Sequence, residues 1–235
     1  ITKPVSPMIL KARVATHLAL FDQNQALESK VAKRTIELMQ TRMEVVERLG
    51  RAAEYRDNET GRHVIRVGKY SKALALGYGL PEDFAELIMQ AAPMHDVGKI
   101  GIADNILLKP GKLGYEEFEI MKTHAAIGAE ILGGSDFPLM KMAHTIALRH
   151  HEKWDGSGYP DGLKGEDIPI EGRIVAICDV FDALLSTRPY KVPWPIEKVL
   201  DFYNEQSGKH FDPNLIEVFN KISAEFIDIF ESNKD

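Results

Sequence analysis

Apolar residues recur at helical spacing along most of this chain, and strict apolar–polar alternation is scarce. That pattern argues against sheet architectures. A half-buried strand must alternate every second residue, whereas a helix repeats its apolar face every 3.6. Windows at 62–78, 81–98, 115–132, 138–152, 171–185, 194–206 and 212–231 carry Ala, Leu, Ile and Met in this way. Breaks rich in glycine and proline separate them at 77–81, 109–114, 133–138 and 155–172. The expected fold is all-α over residues 51–235, with one long loop after residue 152.

Two segments precede that domain. Residues 21–50 lack proline, have Gly50 as their first glycine, and are rich in good helix formers. Val31, Leu38 and Val45 repeat at seven residues, as do Ile36 and Met43, but Arg34 and Thr41 spoil the second column. A solvated helical linker and a short coiled coil joining two protomers both fit. Residues 1–20 read as the end of something larger. Ile1-Thr2-Lys3-Pro4 suggests a strand end and turn, and Ser6-Pro7 opens a helix with an apolar face at Ile9, Leu10, Val14, Leu18 and Leu20. So little structure cannot bury itself, so an upstream domain is expected.

The chain of 235 residues carries a net charge of −6. A protein that grips long nucleic acid usually has a basic face, so a DNA or RNA polymer is disfavoured. A small phosphate ligand is not, because bound cations and a few placed lysines or arginines reverse the field locally. No apolar run approaches membrane-spanning length, and no signal peptide is visible. The single cysteine, Cys178, rules out an internal disulfide framework and fits a reducing cytoplasm.

Histidine placement is the chemical signal. His95-Asp96 and His150-His151-Glu152 are adjacent pairs, and Glu59 and His63 are four apart, on one face of a helix. His124 follows Met121-Lys122-Thr123, and Asp179 ends the apolar run Ile174–Cys178. A lone histidine is usually a satisfied core residue. Burying this many ionisable groups is costly unless metal or partners compensate. Adjacent helical residues diverge by about 100°, so each adjacent pair suits a cluster of metals rather than one ion. Imidazole with carboxylate favours Fe, Mn, Co, Ni or Zn over Ca. The lack of thiolates argues against a closed structural zinc. Asp179 is read as a ligand rather than as the N-cap of a following helix. His17, His144 and His210 are assigned structural roles. Lys99, one turn past His95-Asp96 with Gly98 allowing close approach, suits a phosphate oxygen. Arg188 and Lys191 beyond Asp179 suit phosphate too. In the loop 154–162, Gly156, Gly158 and Gly162 would let a ligand approach the backbone beside Tyr159.

These motifs resemble a known family. His95-Asp96-x-Gly98-Lys99, His124, His150-His151-Glu152, Asp155-Gly156-x-Gly158-Tyr159-Pro160, Asp179, Asp182-Ala183-Leu184, Arg188-Pro189-Tyr190-Lys191 and Phe211-Asp212-Pro213 occur in the order of the HD-GYP subgroup of the HD phosphohydrolase superfamily. The resemblance covers about residues 51 to 222. It implies an all-α fold and metal-dependent hydrolysis of cyclic di-GMP through pGpG and on to GMP. It also implies metal ligation by His63, His95, Asp96, His124, His150, His151 and Asp179, with iron or manganese as the native metal. Glu59 stands where a glutamate accompanies a three-metal rather than a two-metal site. Lys99, Arg188 and Lys191 match phosphate-contacting positions. Ala103 and Gly172 depart from the usual proline and alanine. Residues 1–20 resemble the last strand and helix of a response-regulator receiver domain, with Lys3-Pro4 as its lysine and proline.

The mechanism expected is in-line attack on phosphorus by a hydroxide bridging two metals, with Lys99 stabilising transition-state charge. A metal-bound water or Asp182 are candidate acids for the leaving oxygen. The alternatives are a phosphodiesterase selective for cyclic GMP-AMP and a non-catalytic module that binds a nucleotide or partner.

Overall fold

The computed structural model describes residues 6–54, 61–186 and 193–234. Among them no strand forms; a lone bridge pairs Ser207 with Phe211. The all-α expectation holds.

Helix α1, Pro7–Glu54, starts directly after Ser6 and runs 48 residues without a break. It passes through residues 20 and 21 as one helix, with no discontinuity between the two segments read from sequence. By contacts the chain divides into Ile1–Val45 and Val46–Asp235. The compact unit therefore begins a few residues before 51, because Val46 is buried in its core and a Cβ on Gly50 would lie 2.6 Å from the Pro93 carbonyl oxygen. Within the first unit the apolar residues Leu18, Leu27, Val31 and Leu38 are exposed, and so is His17. His17 therefore has no buried structural role.

In the second unit, α2 (Gly61–Tyr78) packs against α3 (Glu82–Ala91), α8 (Ile170–Leu185) and α10 (Pro213–Ser232). Helix α7 (Pro138–Arg149) packs against α3, α6 (His124–Leu132) and α8. Helix α9 (Ile196–Gln206) closes the far side. One apolar core joins these helices through Leu74, Ile88, Ile146, Ile177, Phe181 and Phe219. A smaller cluster of Ile102, Ile106 and Leu107 lies beneath α4 (Asp104–Leu107) and α5 (Tyr115–Lys122).

Several sequence windows divide. The 81–98 window is not one helix: α3 ends at Ala91, and two 3-10 turns, Ala92–Met94 and Val97–Gly101, flank His95-Asp96. Pro93 is the cause, since it has no N–H to continue the ladder. The 115–132 window breaks at Thr123, whose hydroxyl donates to the Ile120 carbonyl at 2.6 Å. Helix α10 begins as expected, with Pro213 at its first position and the Asp212 carboxylate accepting from Asn214 N at 2.8 Å.

Candidate metal centre

Each cluster residue stands at an irregularity of the backbone or on the inner face of a central helix. His95 and Asp96 occupy the tight turn between the two 3-10 segments, His124 opens α6, and His150-His151 follow the last residue of α7. His63 lies in the first turn of α2. Asp179 sits mid-way along α8 and caps nothing. The turn and α6 meet because Gly98 has no side chain. A Cβ there would collide with the His124 carbonyl oxygen and the Gly128 amide nitrogen. That approach puts His124 beside Asp96.

Among the described residues two groups of ligand atoms result, each with its members within 4.8 Å of one another. One is His63, His95 and Asp179; the other is Asp96, His124, His150 and His151. Asp96 faces both. Its Oδ2 lies 3.3 Å from His95 Nε2, and its Oδ1 lies 3.2 Å from His124 Nε2 and 3.5 Å from His150 Nε2. Asp179 Oδ1 is 3.5 Å from His63 Nε2 and 3.8 Å from His95 Nε2. Lys99 Nζ pairs with Asp96 Oδ2 at 2.9 Å.

The outer ring nitrogens fix the inner ones. Nδ1 of His95 meets the Ala92 carbonyl at 2.9 Å, that of His124 the Met121 carbonyl at 2.7 Å, and that of His150 the Ile146 carbonyl at 3.0 Å. A carbonyl only accepts, so each Nδ1 carries the hydrogen and a neutral ring presents its Nε2 lone pair inward. His63 Nδ1 instead lies 2.8 Å from Asp182 Oδ2. Asp182 in turn accepts from Arg66 Nε at 2.6 Å and Nη2 at 2.9 Å, and from the Tyr70 hydroxyl at 3.3 Å.

Charge follows this geometry. Burial opposes ionisation of Asp96, but the charges of Lys99 and His95 hold its carboxyl well below the usual range. Burial lowers His150 despite Asp96, and enclosure together with the neighbouring imidazoles pushes His151 well down. Burial would also lower His95, but Asp96 and Asp179 raise it to about 9. Ligation requires the neutral ring, so binding a cation at His95 releases a proton. Burial would raise Asp182, yet His63 and Arg66 bring it to about 2. An ionised carboxylate behind His63 is a poor proton donor.

The buried Nε2 atoms of His95, His124 and His150, and Asp96 Oδ1, make no hydrogen bond among the described residues. The lone pair of a neutral His150, facing a carboxylate oxygen, repels it unless a cation lies between them. The donor set therefore fits divalent metal.

Two other residues hold the neighbouring loop. The buried Glu152 carboxylate accepts from the amides of Asp161 and Leu163, each at 3.0 Å, and pairs with Arg149. Gly158 lies so close to Glu152 and Lys153 that a Cβ would collide with their backbone. Its glycine is thus demanded by the chain's own packing. Tyr159 stacks on His151 at 4.7 Å. Sequence reading gave Glu152, Arg66 and Tyr70 no role. The last two repeat with His63 at i, i+3 and i+7, a face that could have revealed them. Elsewhere, His144 Nδ1 bonds the Ala129 carbonyl at 2.8 Å, joining α7 to α6, and His210 stacks on Phe211. Ala103 has φ −67°, a value proline also adopts. At Gly172 a Cβ would lie 2.9 Å from the Arg149 Cβ. Glu59, Arg188 and Lys191 lie outside the described residues, as do Lys3 and Pro4.

A family model described as an HD domain matches residues 14–215. The chain belongs to the HD domain family. Its His-Asp pair is His95-Asp96. This HD domain is 52% identical over 192 residues to a cyclic di-GMP phosphodiesterase of Thermotoga maritima, covering 82% of this chain and 52% of that protein. It is 48% identical over 218 residues to a 3'3'-cGAMP-specific phosphodiesterase of Vibrio cholerae, covering 93% and 42%. The crystal structure of another cyclic GMP-AMP-specific phosphodiesterase from Vibrio cholerae shares the fold, with a TM-score of 0.61 at 21% identity over 79% of this chain and 50% of that one. The chain spans about half the length of the curated relatives it matches. No described helix is long and apolar enough to cross a membrane.

Proposed function

We propose that this HD domain hydrolyses the phosphodiester bonds of a cyclic dinucleotide, taking cyclic di-GMP to pGpG and on to GMP. The observation that carries the reading is the convergence of imidazole nitrogens on Asp96, with Lys99 on the Oδ2 that also faces His95. Two or three divalent transition metals, iron or manganese, belong there. His63, His95 and Asp179 would hold one, and His124, His150 and His151 another, with Asp96 between the two groups. Glu59 would go with a third. When bound, the metals lower the pKa of water and neutralise phosphoryl oxygens.

The chain's own residues do the rest. Lys99 steadies charge that grows on the phosphoryl group, and its pairing with Asp96 keeps it at the cluster edge. Arg188 and Lys191 contact substrate phosphate. Gly158 and Tyr159 bound the substrate, with the Tyr159 ring held against His151. The Nδ1–carbonyl bonds fix ring orientation before substrate arrives. The exposed apolar residues of α1, Val31 and Leu38 among them, support a homodimer through that helix, with a receiver domain upstream. A buried free thiol at Cys178 suits the cytoplasm.

Cyclic GMP-AMP is the second reading, favoured by the 48% identity to a protein named for that substrate. Parallel turnover of both dinucleotides by protein loaded with Fe or Mn separates the two. Release of pGpG is expected. Both substrates left intact would point instead to a binding module.

A further inference from the structure

Beside the cluster, α5 carries an aromatic ring that packing does not enclose. Phe118 is 45% exposed, yet its ring lies edge-on to Tyr159 at 6.2 Å, and Tyr159 stacks on His151. Phe118 is thus one ring removed from a cluster imidazole. Lys122, one turn further along α5, holds its Nζ 5.5 Å from the Phe118 ring centre and 5.9 Å from that of Tyr159. The same ammonium pairs with Glu119 at 2.7 Å. Helix α5 is seated by Met121, which packs with Ile127 on the small cluster of Ile102, Ile106 and Leu107. Phe118 is not part of that cluster.

A half-exposed aromatic ring is costly in water, and its face is the kind of surface on which bases stack. In a dinucleotide each base lies a ribose away from its phosphate. A phosphate at the cluster therefore places its base outside the cluster, on the surrounding rim. We propose that Phe118 stacks one base of the substrate and that Lys122 donates to its acceptor edge. This rests on the cyclic dinucleotide reading above and adds where a base goes. Guanine offers O6 and N7 as acceptors, whereas adenine carries a donor at N6. An ammonium at that edge selects guanine.

Steady-state kinetics on cyclic di-GMP and cyclic di-AMP, with metal content and calorimetric binding of both, test the assignment in the metal-loaded protein. Phe118→Ala is expected to raise KM and Kd for cyclic di-GMP about tenfold, within the range of one base–aromatic stack. Its kcat should change far less, and its metal content should match the wild type. Phe118→Trp restores KM. Lys122→Met narrows the preference for cyclic di-GMP over cyclic di-AMP. An unaltered KM in Phe118→Ala overturns the stack while leaving the phosphodiesterase reading intact. If the wild type binds cyclic di-GMP without cleaving it, the phosphodiesterase reading fails, and the Kd of Phe118→Ala alone decides the stack. No binding of either dinucleotide overturns both.

Discussion

The two halves of the cluster differ in what stands behind His63. In one, His63 leans on Asp182, a buried carboxylate from another helix that is itself gripped by Arg66. In the other, His124 and His150 lean on carbonyls of their own local backbone. The support of His63 is made of side chains from α2 and α8, so a single substitution removes it, whereas His95 in the same half leans on the Ala92 carbonyl. Support in the other half is written into the turns at helix ends, where no side-chain change reaches it. Asp96 faces both halves.

The sharpest way to break this division is Asp96→Ala. Its loss should take metal from both halves and lower kcat/KM at least about a thousandfold, because several kcal/mol of charge stabilisation depend on the metals. Metal analysis beside turnover checks it. His63→Ala, by contrast, should empty one half and leave the other loaded.

Asp182→Ala comes next. It leaves the buried Arg66 without its carboxylate, at a cost of about 3–5 kcal/mol in urea unfolding. It should also weaken metal affinity about 10–100-fold in the His63 half alone. Equal loss in both halves would contradict separate support. Gly98→Ala tests the joint between the halves. Its Cβ must push α6 away, which should destabilise by about 1–3 kcal/mol and reduce metal binding at His124.

The smallest effect lies outside the cluster. His210, whose carbonyl accepts from Trp154 N at 3.0 Å, is lowered to about 4 by burial and Lys153. The unfolded chain takes up this proton below about 6.5, whereas the folded chain waits until about 4. Stability is therefore full above about pH 6.5 and falls as pH drops towards 4. About 1 kcal/mol of that loss, after allowing for partial exposure, should vanish in His210→Gln when urea midpoints at pH 7 and pH 5 are compared.

The helical class was legible because its apolar period is local to each segment, and the ligand candidates because histidines beside carboxylates are rare in a core. The break at Pro93 was legible in principle, since proline lacks the donor, but the apolar period of 81–98 overrode it. The Asp182–Arg66–Tyr70 network was not read, because its members are 112 and 116 residues apart along the chain. Asp182 looked like a candidate acid until its partners were in view. The burial of Glu152 inside the loop was hidden for a related reason. Glu152 carries no sequence signal of its own, and only the fold directs it to the amides of Asp161 and Leu163.

Metal content per chain in purified wild type and Asp96→Ala is the most direct measurement. Two or three transition-metal ions per wild-type chain, and one at most in the variant, are expected. One ion or none in the wild type, or an unchanged count in the variant, would contradict a cluster whose halves share Asp96.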